Sequence, residues 1–197
     1  KGCYITEWQK GRQVYSYDLR SLDSNLMILR ESILVVYALA RSYGMAPKSI
    51  LNNCIGFIPL KHRLQEVGVI DGVAFINDSK ATNVDATIHA LKFYKNIHLI
   101  VGGQAKENNF DQLQLGMENV SRIYAIGEAA SLIAKSFQGN KLEQFMSLDK
   151  ALEKAISYSQ EGDTILFSPA CASFDQYLNF EERGEHFISL VGKLEKN

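Results

Sequence analysis

Three short polar segments of the sequence could bind an anionic ligand. In chain order they read NDSKATN (77–83), GGQAK (102–106) and SPACASFDQYLNF (168–180). The first two carry Lys80 and Lys106, whose ammonium groups could pair with a carboxylate or a phosphate. The third has small residues around Ser173, which can leave backbone N–H groups and a hydroxyl accessible where a helix begins. We therefore expect an anionic ligand near these segments.

Each segment also has a simpler structural explanation. A helix after the first segment could be capped by any of four residues, namely Asp78, Ser79, Thr82 and Asn83. The second could be an ordinary glycine turn, and Asp175 could cap a helix that follows the third. Cys171 is a possible nucleophile, but no histidine lies near it in sequence to activate it, so we interpret it as a small buried residue. None of the segments is a P-loop or a GxGxxG fingerprint.

The elements that position these segments alternate between strands and helices. The strands are predicted at residues 64–70, 73–77, 97–101, 122–126, 142–145 and 163–168. The helices are predicted at residues 83–94, 110–118, 128–136, 148–159 and 175–194, the last with a break near Gly184. This alternation predicts an α/β fold with a mostly parallel sheet, and Asp71-Gly72 predicts a hairpin turn. Ligands of such sheets bind at the carboxyl ends of the strands, which is where all three segments lie.

Residues 1–64 form a different region. Two strands at 3–8 and 13–17 flank Lys10-Gly11, which predicts a hairpin. Asp23 or Ser24 could cap a helix over 25–42 that ends before Gly44, and Pro47 could open a second helix through residue 53. Residues 56–63 form a connector that contains His62 and Arg63. The region is too small for an independent core, and the chain starts with Lys1 rather than Met and opens in what looks like mid-strand. We therefore expect a piece of a longer protein.

Composition restricts the class of protein. The 197 residues carry a net charge of −1, which gives no electrostatic reason to expect nucleic acid as a partner. The cysteines are odd in number and far apart, which predicts reduced thiols in a cytoplasmic protein. No apolar run approaches the roughly 20 residues of a membrane helix, and no signal peptide is visible. We therefore expect neither a membrane nor a nucleic acid as a partner.

The polar segments also occur in a recognisable order with two further motifs. PxxHR ends at Arg63, DSKATN and GGxxK follow, and SPACASFDQ is followed by NFxxRG ending at Gly184. This ordered set resembles the Mur ligase family, and within it the branch that adds D-glutamate. No DNPR motif, typical of the ligases that add diaminopimelate or lysine, is found.

The resemblance implies an ATP-dependent amide ligase of three domains. It would join D-glutamate to UDP-N-acetylmuramoyl-L-alanine through an acyl phosphate during cytoplasmic synthesis of the peptidoglycan precursor. Residues 1–64 would end the central ATP-binding domain, and residues 65–197 would form the Rossmann-like C-terminal domain that binds the amino acid. The P-loop and the ligands of Mg²⁺ would lie outside this sequence. The chain alone is therefore expected to be inactive, and the whole enzyme is expected to be a monomer.

The resemblance also implies roles for individual residues. The α-carboxylate of D-glutamate would be held by Thr82 and Lys106. Its side-chain carboxylate would be held by Ser173 and the backbone of Phe180, with Phe174 lining the pocket. Lys80 would act as a catalytic lysine near the reacting phosphate and carboxyl groups. ATP would be contacted by Arg63 and Asp78, with His62 beside them, and no residue of the chain is assigned to a metal.

Two departures and two alternatives accompany this interpretation. Residues 28–32 read ILRES where the family has an asparagine-containing motif, and Gln104 replaces a common acidic residue. One alternative is another Mur ligase or a folylpolyglutamate synthetase-like ligase. The other is a non-catalytic Rossmann-like module that binds a nucleotide, against which the absence of GxGxxG and the three polar segments count.

Overall fold

A computed structural model describes residues 3–21, 26, 28–106, 108–137 and 141–194. The chain divides into two compact units, Lys1–Pro59 and Leu60–Asn197. The assignment of residues 1–64 and 65–197 to two domains of a larger ligase stays a prediction. Within the described ranges, none of the helices has the length and apolar character needed to cross a membrane.

The first unit is a hairpin with two helices. Its elements are β1 (Tyr4–Gln9), β2 (Arg12–Asp18), a short 3₁₀ helix (Leu19–Ser21), α1 (Arg30–Ser42) and α2 (Pro47–Cys54). Lys10 and Gly11 both have positive φ and connect the antiparallel strands, which confirms the predicted turn. Helix α1 lies within the predicted range 25–42. Leu26 is also helical, and residues 22–25 and 27, which include the proposed caps Asp23 and Ser24, lie outside the described residues.

The core of this unit is small. Among the residues of this unit that the structure describes, seven are buried in it, namely Ile5, Leu19, Leu26, Ile33, Tyr37, Ile50 and Leu51. On α1, the apolar side chains of Leu34, Val35, Val36 and Leu39 are more than half exposed. A stripe of this kind on a soluble protein usually marks a surface that another element covers, which supports the expectation of a larger domain.

The second unit contains a six-stranded sheet in the order β3-β4-β8-β5-β6-β7. The strands are β3 (Gln65–Ile70), β4 (Val73–Asn77), β5 (Ile97–Gly102), β6 (Val120–Ile126), β7 (Leu142–Phe145) and β8 (Thr164–Phe167). The helices are α3 (Val84–Leu91), α4 (Ala130–Ser136), α5 (Leu148–Tyr158) and α6 (Phe180–Leu194), together with a 3₁₀ helix (Asp111–Asn119). Only β3 runs antiparallel to its neighbour. The predicted α/β fold with a mostly parallel sheet is confirmed.

Helices cover both faces of this sheet. Leu99 and Val101 of β5 pack on the face that carries α3, the 3₁₀ helix and α4, whereas Ile100 packs on the face that carries α5 and α6. Because successive strand residues point to opposite faces, an uninterrupted apolar strand indicates that both faces are buried. The short apolar runs in β5 and β8 follow this rule.

Three predicted helices differ in detail from the structure. Helix α3 ends at Leu91 rather than at residue 94. Residues 111–119 form a 3₁₀ helix rather than an α-helix, and its i, i+3 spacing buries Leu113 and Gly116 together against α3. The third difference is the last helix, which starts at Phe180 instead of 175 and continues without a break through Gly184.

The late start of α6 follows from its capping residues. The Asn179 side chain accepts a hydrogen bond from the Glu182 N–H at 2.7 Å, and the Glu182 carboxylate accepts one from the Leu178 N–H at 2.8 Å. This reciprocal pattern resembles a capping box. Asp175, the cap considered from sequence, instead accepts from the Glu128 N–H at 3.2 Å.

Gly184 and Gly192 of α6 provide a matched test of packing. A Cβ at Gly184 would lie 2.2 Å from Nδ1 of His62, whereas a Cβ at Gly192 would meet nothing within 4 Å. Gly184→Ala should destabilise the protein by about 1–3 kcal/mol through overpacking, and Gly192→Ala should stabilise it by about 0.5–1 kcal/mol through helix propensity. Urea denaturation measures both, and equal stabilities of the two variants would contradict the packing of α6 on His62.

Candidate functional site

The sheet order brings the three polar segments together. Strands β4, β8 and β5 are parallel neighbours, so the segments that follow them all leave from the same edge. Segment 168–180 lies between the other two, because β8 lies between β4 and β5. The predicted convergence at the carboxyl ends of the strands is therefore present in the structure.

The second and third segments pair directly with each other. The Gln104 N–H donates to the Ala172 carbonyl at 2.9 Å, and the Ala172 N–H donates to the Gln104 carbonyl at 3.0 Å. Gly103 makes this approach possible, since a Cβ there would lie 2.4 Å from the Ala172 oxygen. The segment that carries the exposed Lys106 is thus held against the one that carries Ser173, which is buried.

The first segment is tied to the start of α6. The Ser79 hydroxyl donates to the Phe180 carbonyl at 2.8 Å. Of the four possible caps of α3, Asn83 fills the role, because its side chain accepts from the Ala86 N–H at 2.8 Å. Thr82 is half-buried, and its N–H donates to the Lys80 carbonyl at 2.9 Å. Capping therefore does not account for Ser79 or Thr82.

Arg183 forms hydrogen bonds to both the first and the third segment. No role was predicted for it from the sequence. It is 1% exposed. Its guanidinium donates to the Ser79 hydroxyl and carbonyl at 3.1 and 2.9 Å, to the Cys171 carbonyl at 3.1 Å from two nitrogens, and to the Ala172 carbonyl at 3.0 Å. The available signal was the arginine of NFxxRG. A planar, five-donor group suits this bridging role better than a lysine would.

Several of the predicted site residues line one cavity of about 400 Å³. Its lining consists of Leu60, Lys61, His62, Arg63, Lys80, Phe180, Glu181 and Glu185. The Lys80 ammonium lies 3.8 Å from the centre of the Phe180 ring, a cation–π contact. The cavity therefore brings together the predicted catalytic lysine, two of the three residues predicted to contact ATP, and one residue of the predicted D-glutamate pocket.

His62 is buried beneath the exposed side chains of this cavity. Its Nδ1 lies 3.0 Å from the Asn77 amide nitrogen, and its Nε2 lies 3.6 Å from a Glu185 carboxylate oxygen. Burial lowers the pKa of His62, and Glu185 acts in the opposite direction. A neutral imidazole accepting from Asn77 fits this environment. The positive φ of His62 shows that the connector turns sharply here.

Asp78 is also buried and engaged within the protein. It accepts from the Leu64 N–H at 3.2 Å and from the Ser168 hydroxyl at 2.8 Å. Burial raises the pKa of Asp78 to about 7, against the opposing effect of the Ser168 hydrogen bond. The carboxyl group therefore connects the first and third segments and titrates near neutral pH.

The remaining predicted residues lie on the segments themselves. Phe174 is 65% exposed, so its ring is available to a ligand. Among the residues that the structure describes, no group of three histidine, cysteine or acidic side chains is placed to hold a metal ion. Cys171 is fully buried, as expected of a packing residue.

The sequence of this chain is similar to those of known proteins. Residues 62–171 match the family described as Mur ligase, glutamate ligase domain. The chain is 40% identical over 191 residues to UDP-N-acetylmuramoylalanine--D-glutamate ligase of Roseobacter denitrificans, an alignment that covers 96% of this chain and 41% of the relative. The chain thus spans about two fifths of the length of that curated relative.

Solved structures share the fold at low sequence identity. UDP-N-acetylmuramate-alanine ligase MurC from Thermotoga maritima superposes with a TM-score of 0.66 at 16% identity, covering 98% of this chain and 46% of that one. A bifunctional folylpolyglutamate synthase/dihydrofolate synthase from Yersinia pestis gives 0.62 at 16% identity, covering 98% and 44%.

The fold and the matched family define the class: this chain belongs to the Mur ligase family. The resemblance stated from the ordered motifs is confirmed. The relative described above, a D-glutamate ligase, is the kind of protein that the motif set indicated.

The buried Asp78 leads to a pH-dependent prediction. The carboxyl ionises near 3.8 in the unfolded chain and near 7 in the folded one, so ionisation opposes folding increasingly as the pH rises from 4 to 7. In Asp78→Asn the amide can still accept from Leu64 and can donate to Ser168. The unfolding free energy of Asp78→Asn relative to the native protein should therefore rise by roughly 2–4 kcal/mol over this range.

Urea denaturation at a series of pH values measures this difference. Asp149→Asn is the control, because a hydrogen bond from Ser147 lowers the pKa of Asp149. That carboxyl is ionised in both the folded and the unfolded state above about pH 5, so the stability of Asp149→Asn relative to the native protein should stay nearly constant there. A constant difference between Asp78→Asn and the native protein from pH 4 to pH 8 would contradict the assignment.

Proposed function

We propose that the chain is the C-terminal part of an ATP-dependent amide ligase that adds D-glutamate to UDP-N-acetylmuramoyl-L-alanine. The reaction would serve peptidoglycan precursor synthesis in the cytoplasm, and the whole enzyme would act as a monomer. The observation that carries the proposal is the convergence of the three polar segments on neighbouring strand ends. The 40% identity to a D-glutamate ligase over 96% of this chain supports it.

A dicarboxylate needs two separated groups of anion-binding residues, and the segments provide them. Thr82 and Lys106 lie on the two outer segments and would hold the α-carboxylate. Ser173 and the backbone of Phe180 belong to the middle segment and would hold the side-chain carboxylate. The exposed ring of Phe174 would line the same pocket. An amino acid held at both ends would present its amine in a fixed direction, which lowers the entropic cost of the attack.

The cavity beside Lys80 would receive the ATP end of the reaction. Arg63 is exposed at its edge and would contact the nucleotide directly. His62 and Asp78 are buried and hydrogen-bonded, so they would contribute to ATP binding by fixing the turn that presents Arg63. Magnesium, which neutralises phosphate charge in such reactions, would be held by residues outside these 197.

The chemistry proceeds by activation of a carboxylate. A carboxylate oxygen of UDP-N-acetylmuramoyl-L-alanine attacks the γ-phosphorus of ATP, and ADP leaves. The D-glutamate amine then attacks the carbonyl carbon of the acyl phosphate, and the tetrahedral intermediate expels phosphate as the nitrogen loses a proton. Charge on the transferred phosphoryl group develops near Lys80, whose ammonium would stabilise it.

Substitution of one residue from each of the two proposed carboxylate-binding groups tests the proposal. In the full-length enzyme, Lys106→Ala or Ser173→Ala should raise the KM for D-glutamate at least about tenfold, because each removes a hydrogen bond to a charged group. The KM for ATP should change by less than about threefold. Phosphate release under varied D-glutamate and varied ATP measures both constants.

Two exposed positions remote from the segments serve as controls. Lys135→Ala on α4 and Ser157→Ala on α5 make the same chemical changes and should leave both constants unchanged. Unaltered D-glutamate kinetics in both Lys106→Ala and Ser173→Ala would refute the assignment of the pocket.

The isolated chain provides a further test. Residues 1–197 contain no GxxxxGK[ST] sequence, so on their own they should release no phosphate from ATP when both substrates are present. The full-length enzyme under the same conditions is the positive control. Ligation by the isolated chain would overturn the assignment of ATP binding to sequence outside it.

A further inference from the structure

Arg183 is a buried cation without a carboxylate in direct contact. Among the described residues, none of the ion pairs includes it. Its acceptors are carbonyl groups and the Ser79 hydroxyl. Burial lowers the pKa of Arg183 to about 10, with Asp175 acting in the opposite direction, so the guanidinium stays protonated at neutral pH. A buried charge of this kind favours an anion nearby.

The carbonyl groups that face Arg183 determine where the neighbouring N–H groups point. In a trans peptide the C=O and N–H point in opposite directions, and the described chain has no cis peptide bond. The Ser79, Cys171 and Ala172 carbonyls face the guanidinium, so the N–H groups of the next residues point away from it. Two of these have acceptors: Lys80 donates to the His62 carbonyl and Ala172 to the Gln104 carbonyl, both at 3.0 Å.

The third of these N–H groups, that of Ser173, has no acceptor within the described part of the chain. Ser173 is 2% exposed, so water has little access to its backbone. Buried donors without a partner are uncommon in folded proteins. A donor that points away from a buried cation and has no partner of its own is therefore suited to an anionic ligand.

Arg183 also positions the start of α6. Its Nε donates to the Ser79 hydroxyl at 3.1 Å, and that hydroxyl donates to the Phe180 carbonyl at 2.8 Å. The first amides of a helix have no acceptor within the helix, and Phe180 is the first residue of α6. One guanidinium thus holds both groups that the proposed function assigns to the side-chain carboxylate.

We propose that Arg183 is a positioning residue that makes the site selective for an amino acid with a side-chain carboxylate. This inference rests on the proposed function. Arg183 does not touch the substrate: it orients the Ser173 amide, fixes Phe180 and contributes positive potential beneath them. D-Glutamine, which has the same length but a neutral side chain, gains nothing from that charge.

The test compares Arg183→Met and Arg183→Lys in the full-length enzyme with D-glutamate and D-glutamine. Arg183→Met removes both the charge and the positioning hydrogen bonds, so kcat/KM should fall for both amino acids, but by a factor at least about tenfold larger for D-glutamate than for D-glutamine. Arg183→Lys keeps the charge but loses the planar, five-donor guanidinium. Its kcat/KM for D-glutamate should lie between those of Arg183→Met and the native enzyme. Arg122→Met is the control. Arg122 lies near the amino-terminal end of β6, away from the strand ends that carry the three segments, so this substitution should change neither kcat/KM value.

An equal fall in kcat/KM for D-glutamate and D-glutamine in Arg183→Met would overturn the inference, because a purely structural role weakens the binding of both amino acids regardless of their charge. If the native enzyme shows neither turnover nor inhibition with D-glutamine, the KM values decide. In Arg183→Met, a rise in the KM for D-glutamate alone supports the inference, and equal rises in the KM values for D-glutamate and ATP refute it.

Ser79→Ala covers the case in which the arginine variants do not fold. It removes only the hydroxyl between Arg183 and Phe180, and it should raise the KM for D-glutamate at least about threefold with kcat nearly unchanged. An unchanged KM would refute the inference. If the native enzyme released no phosphate in response to D-glutamate, the proposed function would be refuted instead. Failure of the inference and failure of the proposed function are therefore distinguishable.

Discussion

The edge of the sheet where the three segments converge depends on hydrogen bonds to one buried guanidinium. A charge in a protein interior costs several kcal/mol unless polar groups surround it, and at Arg183 those groups are the carbonyls of two separate segments. The constraint extends to neighbouring residues. Gly103 must lack a side chain, since a Cβ there would lie 3.0 Å from the guanidinium and 2.4 Å from the Ala172 oxygen.

This constraint changes the meaning of the small residues in SPACAS. From sequence, small side chains suggested accessible N–H groups at a helix start. In the structure, Ala170, Cys171 and Ala172 are at most 6% exposed, so their size serves close packing of the backbone around Arg183. The Ser173 N–H, unpaired within the described chain, follows indirectly, because the carbonyls that face Arg183 direct the next amides away from it.

Local patterns predicted much of this fold. The alternation of apolar strands and helices identified the α/β class, and Asp71-Gly72 and Lys10-Gly11 identified both hairpin turns, because these signals act between residues close in sequence. The position of β8 between β4 and β5 was not predictable, since it depends on pairing across the whole second unit. The start of α6 was placed too early because Asn179, rather than Asp175, accepts from an N–H of its first turn, that of Glu182.

The site was likewise predictable where it depends on residues close in sequence, and not where it depends on contacts between distant ones. The three segments were visible as polar runs after strands, but their mutual contacts were not. Arg183 acts on Ser79, which lies 104 positions away, so no spacing rule identifies it. His62 and Asp78 were assigned to ATP by resemblance. Because both are buried, the role we propose for them is indirect, through the turn at Arg63 and the hydrogen bond to Ser168.

The central claim is that these segments place D-glutamate for ligation. The most direct measurement is phosphate release by the full-length enzyme with ATP and UDP-N-acetylmuramoyl-L-alanine, offered D-glutamate, L-glutamate or diaminopimelate in turn. The account predicts release with D-glutamate and little with the other two. Equal release with L-glutamate or diaminopimelate, or release that needs no amino acid, would contradict it.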